Sequence, residues 1–435
     1  MRISIRKLGT GLICFASVLL LVACNSSSES EQVDDNYNNE SDNGTQTIDN
    51  LIEADRQDLE ILQVALNENF PLFNVIQRKH DIDLNSQFET IYQNLGTRAS
   101  ATTRNLETQI TNLRNRINTI GHFFPVDDVG YTFHMALLHR ERDEAEEGVS
   151  SIWQHYYDIL TSEAAQMRFG GIEIPYDYFE NMIMSGNVTT RIIEENRIGY
   201  IRIQEMWIGN LEHDQNIIND FLSQELGLEH LIIDLRDNWG GTAAYFVDLI
   251  IAPLISEPIR GTYYEFLTGG SESLRLAQMT LNGVHVESYD YAGWMSASEF
   301  MSANYMPYFN LDDLENLQYV LPRNFIIRPS DNNINFNGHV WILINGNTFS
   351  GAATSAMLAK YSGFATLVGS PTGSVFSGMS SLIPLPNTGS VVRFDVGYVT
   401  NAYGRQLQEL GVAPHYAHVG GDALETVLSM IESGR

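Results

Sequence analysis

Ser350 stands in HVWILINGNTFSGAATSAMLAKY, an apolar run followed by a polar turn and a run of small residues. This order predicts a buried strand leading into a helix, with Ser350 at or just before the helix N-terminus. There the unpaired backbone N–H groups and the helix dipole favour developing negative charge. Gly351 follows at once, and without a side chain its N–H is open to a reacting carbonyl oxygen. Nucleophile and oxyanion donor would then sit side by side. Taken alone, the segment equally suits Ser350 or Thr348 as a plain helix cap.

A second segment, HLIIDLRDNWGGTAAYFVDLI, repeats the plan: an apolar strand, a turn ending in Gly240 and Gly241, then a helix. Either glycine amide could be a second oxyanion donor, and the same residues also suit an ordinary strand-to-helix connection. Neither the dinucleotide fingerprint nor the Walker spacing is present, which argues against nucleotide binding. Cys14 and Cys24 are the chain's two cysteines and both lie near its start, so the body of the protein has no thiol for a disulfide, a zinc site or a nucleophile. No histidine and carboxylate group has metal spacing, and Asp331-Asn332-Asn333 lacks the later ligands of a calcium loop. No metal and no cofactor is expected.

Together INGNTFSGAATS, ATLVGSPTG, LIIDLRDNWGG, IGYIRI and the tail GRQLQELGVAPHY resemble, in order, the C-terminal-processing (tail-specific) and tricorn-core serine peptidases. The resemblance covers about 196–420. It implies an α/β fold with a crotonase-like peptidase core, the serine in a cleft, and a peptide or protein as substrate. One branch of that family pairs its serine with a lysine in an FGKG-like segment. The counterpart here, VGSPTGSVFSG, has no lysine, and Val375 stands about where it would be. After the N-terminal segment the chain holds only Lys79 and Lys360, and Lys360 is ten residues along the helix from Ser350, about 15 Å at helical rise.

The other branch uses a histidine from the segment before the core and a glutamate near its end. By that resemblance NTIGHFFPVDD offers His122 as general base and QELGVAP offers Glu409 as the acidic partner, with His134 in GYTFHMALL as the competing base. Where that branch often has a hydroxyl residue before its histidine, this chain has Gly121. The arrangement answers a chemical need. A serine hydroxyl is a poor nucleophile at neutral pH, an imidazole is its usual base, and an acid fixes the imidazole.

Elements able to position these groups are legible in the apolar pattern. Short apolar or alternating runs at 198–203, 231–235, 340–344, 366–368 and 391–396 predict strands, and helical segments at 243–250 and 352–361 lie between them. Residues 191–430 therefore read as an α/β core. Before it, Leu59, Leu62, Leu66 and Phe70, then Leu106, Ile110, Leu113, Ile117 and Ile120, recur at steps of three and four, so 50–190 reads as a mainly helical domain. No glycine-rich carboxylate-binding loop marks a PDZ domain.

Residues 24–49 are Ser, Asn, Asp and Glu with almost nothing apolar and read as a disordered acidic tether. Residues 1–23 carry basic residues and then an apolar run, as an export signal does. Leu21-Val22-Ala23-Cys24 resembles a bacterial lipobox, which implies diacylation of Cys24 and attachment to the membrane outside the cytoplasm; an uncleaved membrane anchor is the alternative. The formal charge of −29 argues against nucleic acid and anionic lipid surfaces as partners. The expectation is an exported, lipid-anchored serine peptidase, with a catalytically inactive peptide-binding lipoprotein of the same fold, or an esterase on the same serine, as alternatives.

Overall fold

The computed structural model describes residues 41–96, 105–144, 151–179, 183–224, 227–283, 289–290, 293–331, 333–334, 336–418 and 422–434. The signal segment, Cys24 and the tether up to residue 40 lie outside these residues. From Ser41 the chain is helical (Ser41–Asn69), so 41–49 extend a helix where the sequence suggested tether. Adding residues to a helix already anchored by its buried Leu59, Leu62 and Leu66 avoids the cost of a new nucleus. The helical part continues through Phe73–His80, Leu84–Leu95, Asn105–Arg116, Asp128–Glu144, Ser151–Leu160 and Glu163–Phe169. Asp83 and Ser162 act as N-caps, each accepting from a backbone N–H in the first turn.

The core is a six-stranded sheet in the order Tyr416–Ala417, Thr366–Gly369, His339–Ile344, His230–Asp234, Ile198–Ile203, Val188–Glu194. Its pairs are parallel except the last, which is antiparallel. The central strand His339–Ile344 is apolar without alternation because both its faces are covered. Val340, Ile342 and Ile344 meet the helix Ser350–Tyr361 through Ala352, Ala353 and Ala356, while Trp341 and Leu343 meet Val427 and Ile431 of the helix Ala423–Glu432.

Two further sheets are antiparallel. One contains the long pair Ile259–Leu267 and Tyr319–Ile327 with Gly397–Asn401 at its edge. The other is three-stranded: Phe124–Pro125, Val391–Asp395 and Ser380–Pro384, in that order. Its first strand comes from the helical part, with Phe124 opposite Arg393.

One apolar core therefore runs across position 190, joining Leu66, Phe70, Phe123 and Leu137 to Phe266, Leu382, Phe394 and Tyr398. Asp58, fully buried on the first helix, adds a polar clamp. Its carboxylate accepts from the backbone N–H of Thr388 at 2.7 Å and from the Asn387 side-chain amide at 2.8 Å, holding the turn between the last two strands of the small sheet.

Candidate active site

Ser350 is the first residue of its helix and has φ of +53°, in the left-handed region. That conformation costs a non-glycine residue about 1–2 kcal/mol, so the surroundings must hold it. Its N–H donates to Ser374 O at 2.8 Å, and Phe349 N–H donates to Asn238 O at 2.9 Å. Thr348 Oγ1 donates to Leu235 O at 2.8 Å. The serine is thus pinned between the two strand-to-helix turns that the sequence singled out. Val375, which the resemblance set about where a lysine would be, pairs with Ser350 in an isolated bridge.

His122 reaches this point through a run of left-handed residues. Asn118, Thr119, Gly121 and His122 all have φ between 47° and 64° and turn the chain sharply after the helix Asn105–Arg116. A Cβ at Gly121 would lie 2.6 Å from Phe70 Cε2 and 2.8 Å from Leu72 Cδ1, so a hydroxyl residue does not fit here. His122 Nε2 stands 2.8 Å from Ser350 Oγ, and His122 Nδ1 stands 2.8 Å from Asp395 Oδ2. All three side chains are at 0% exposure. The imidazole is walled by Phe349 and Phe376, with ring centroids 5.3 and 5.2 Å away.

The carboxylate at His122 is therefore Asp395, not Glu409. Glu409 Oε2 pairs with Arg78 Nη2 at 2.7 Å, and its backbone carbonyl accepts from Lys79 Nζ at 2.6 Å. Arg78 also holds Asp313 in a two-point ion pair at 2.7 and 2.8 Å, so one fixed guanidinium engages both carboxylates. His134 is buried with no hydrogen-bond partner for either ring nitrogen among the described residues. Burial, and then the nearby Arg393 charge, push it down to about 3, so it is a neutral packed ring. Lys360 Nζ donates to Ala413 O at 2.6 Å, away from the serine, and burial lowers its pKa.

Asp395 is itself held. Ser380 lies directly opposite it across the sheet, and Ser380 Oγ donates to Asp395 Oδ1 at 2.8 Å. Arg393 is two residues before Asp395 and so shares its face of the strand. Its Nε and Nη2 donate to Ser380 Oγ at 3.1 and 3.0 Å. Arg393 is completely buried between the rings of Phe124 and Phe376, each 5.6 Å from its Cζ, and burial pushes it down to about 10. Tyr156 Oη completes the surroundings, donating to Ser380 O at 2.6 Å.

Beside the serine, three glycines allow two backbones to touch. A Cβ at Gly240 would lie 2.8 Å from Gly351 N, and one at Gly351 would lie 2.1 Å from Gly241 O. The Gly240 N–H is already used, donating to Asn238 Oδ1 at 2.8 Å. Gly241 and Gly351 keep N–H groups that no acceptor claims among the described residues. Of the candidate donors these two remain.

Sequence reasoning did not single out Asp395, Ser380 or Arg393. A signal for them existed: VVRFDV sets two ionisable groups on one face of an otherwise apolar strand, and buried charges need partners.

Residues 197–418 match the model of peptidase family S41. Similar solved structures include a Parabacteroides merdae protein assigned to the peptidases, with 17% identity, 87% of this chain and 96% of that chain covered, and a TM-score of 0.50. They also include mature CPAF (14% identity, 84% and 93% covered, TM-score 0.47) and the photosystem II D1 C-terminal processing protease (13% identity, 84% and 93% covered, TM-score 0.40). No curated protein matches the sequence significantly. The family match spans more than half of the 435 residues, and the chain therefore belongs to peptidase family S41, with that family's mixed α/β fold and a mostly helical N-terminal region.

Proposed function

We propose that this protein hydrolyses peptide bonds through an acyl-enzyme on Ser350, with His122 as general base and Asp395 as the acid that orients it. The observation that carries this is the line Ser350 Oγ, His122 Nε2, His122 Nδ1, Asp395 Oδ2, with 2.8 Å at each of its two hydrogen bonds. As Ser350 Oγ attacks the carbonyl carbon, its proton passes to His122 Nε2, and the Nδ1–H bonded to Asp395 stabilises the imidazolium. The carbonyl oxygen, now negative, is taken by the Gly351 and Gly241 amides. His122 returns the proton to the leaving amine, and water enters by the same route in reverse to release the acid. A base of this kind typically contributes ~10²–10⁴ in rate and one oxyanion donor ~10²–10³.

Peptidase membership supports a peptide or protein substrate. Export and attachment through a lipid on Cys24, placing the domain outside the cytoplasm on a bacterial membrane, belong to the same proposal and rest on the N-terminal sequence. Radiolabelled palmitate entering the full chain but not Cys24→Ser would support it; equal labelling of both would end it.

The complete burial of Ser350 and His122 favours a second reading, a peptide-binding lipoprotein that does not turn its ligand over. Fluorophosphonate labelling separates the two. An enzyme labels in the wild type and not in Ser350→Ala or His122→Ala, with folding intact by circular dichroism. A folded wild type that never labels is the binding protein.

A further inference from the structure

We propose that Arg393 is a positioning residue that sets the direction of the hydrogen-bond chain at the site, acting through Ser380; this deepens the serine-hydrolase reading above and rests on it. An arginine side chain has five N–H donors and no acceptor. Two of them meet Ser380 Oγ, at 3.1 and 3.0 Å, and fill both acceptor positions of that hydroxyl. The Ser380 proton must then point outward, to Asp395 Oδ1 at 2.8 Å. Asp395 is left as an acceptor on both oxygens, so His122 must carry its hydrogen on Nδ1 and present a bare Nε2 to the serine hydroxyl. Had Ser380 been free to rotate, it could accept a hydrogen bond from a neutral Asp395, and the imidazole would be free to take the unproductive tautomer.

Charge works in the same direction as geometry. Among the described residues Arg393 makes no direct ion pair; its charge reaches Asp395 through space, with one hydroxyl bridging the two side chains. The groups packed around the pair do not replace it. Tyr156, from the helix Ser151–Leu160, is held neutral by burial. His134, from Asp128–Glu144, is neutral. Glu265, from Ile259–Leu267, is engaged by Arg323 Nε at 2.8 Å. Glu272 is shared between His155 and Ser381 at 3.3 Å and also meets Arg275. A second positive charge beside a fixed buried cation is disfavoured, so neutralising position 393 tests whether that charge acts on the site.

Two measurements test this: the pH dependence of the fluorophosphonate labelling rate at Ser350, and ¹⁵N NMR of the His122 imidazole. The proteins are the wild type, Arg393→Met, Arg393→Lys and Ser380→Ala, each checked by circular dichroism. For Arg393→Met the acid limb should move up by about one pH unit, so labelling falls about tenfold further at the acid end than on the alkaline plateau. Arg393→Lys should return the limb towards wild type while the plateau stays lower, since one ammonium fills the two acceptor positions poorly. The wild-type imidazole should be the Nδ1–H tautomer, and Ser380→Ala should show a mixture. Folded variants with parallel pH profiles and an unchanged imidazole spectrum would make Arg393 a packing residue and overturn the inference. A wild type that never labels but shows the Nδ1–H tautomer, lost in Ser380→Ala, would support the positioning role while removing the hydrolase reading.

Discussion

At the scale of residues, two carboxylates compete for one role, and geometry separates them. Asp395→Asn should lower labelling at Ser350 by on the order of 10⁴, because an amide at Oδ2 favours the wrong imidazole tautomer. Glu409→Gln should leave labelling near wild type, since Glu409 faces Arg78; equal losses in the two variants would restore Glu409 to the site. Ser350, Gly351 and His122 were legible because each sits in a local pattern of turn, glycine and apolar run. Asp395 was not, because its role is created by a contact 273 residues away in sequence, and no local spacing records that. Glu409 misled for a related reason: its motif is present, but Arg78, from the distant helical part, turns its carboxylate aside.

At the scale of elements, the turn that delivers His122 is the vulnerable part. Gly121 has φ of +64° and no room for a Cβ against Phe70 and Leu72. Gly121→Ala should cost about 1–3 kcal/mol in backbone strain alone, lowering the melting temperature and slowing labelling; an unchanged Tm with full labelling would contradict the packing described. The parallel strands were readable as unbroken apolar runs because both faces are buried, and the run at 340–344 appears as His339–Ile344. The antiparallel pair Ile259–Leu267 and Tyr319–Ile327 was not, since Gly261, Pro322 and Arg323 interrupt the pattern. Across the pair, Arg323 Nε donates to Glu265 Oε2 at 2.8 Å, a contact no local pattern records.

At the scale of the whole molecule, an acidic chain of net charge −29 holds two half-buried carboxyls whose proton affinity is raised. Asp248 and Glu205 are each pushed up to about 7 by burial. Such groups bind protons more tightly when folded, so the stability they allow is fully present below their unfolded pKa and is lost as pH rises through about 7. Asp248→Asn should therefore raise the Tm at pH 8 and leave it unchanged at about pH 3.5, below the ordinary aspartate value; a uniform shift at both would show that the carboxyl is not held neutral.

The long sequence separations at the site also bear on biogenesis. On the proposed mechanism the base is residue 122, the nucleophile residue 350 and the orienting acid residue 395, so no working part can be made early. A nascent or truncated chain ending before the strand Val391–Asp395 carries a serine with nothing to anchor its base. Because that strand also pairs with Phe124–Pro125, the histidine's own turn gains its sheet partner in the same event. Under that mechanism synthesis itself is a safety catch, since any activity must wait until nearly the whole chain has been made and folded.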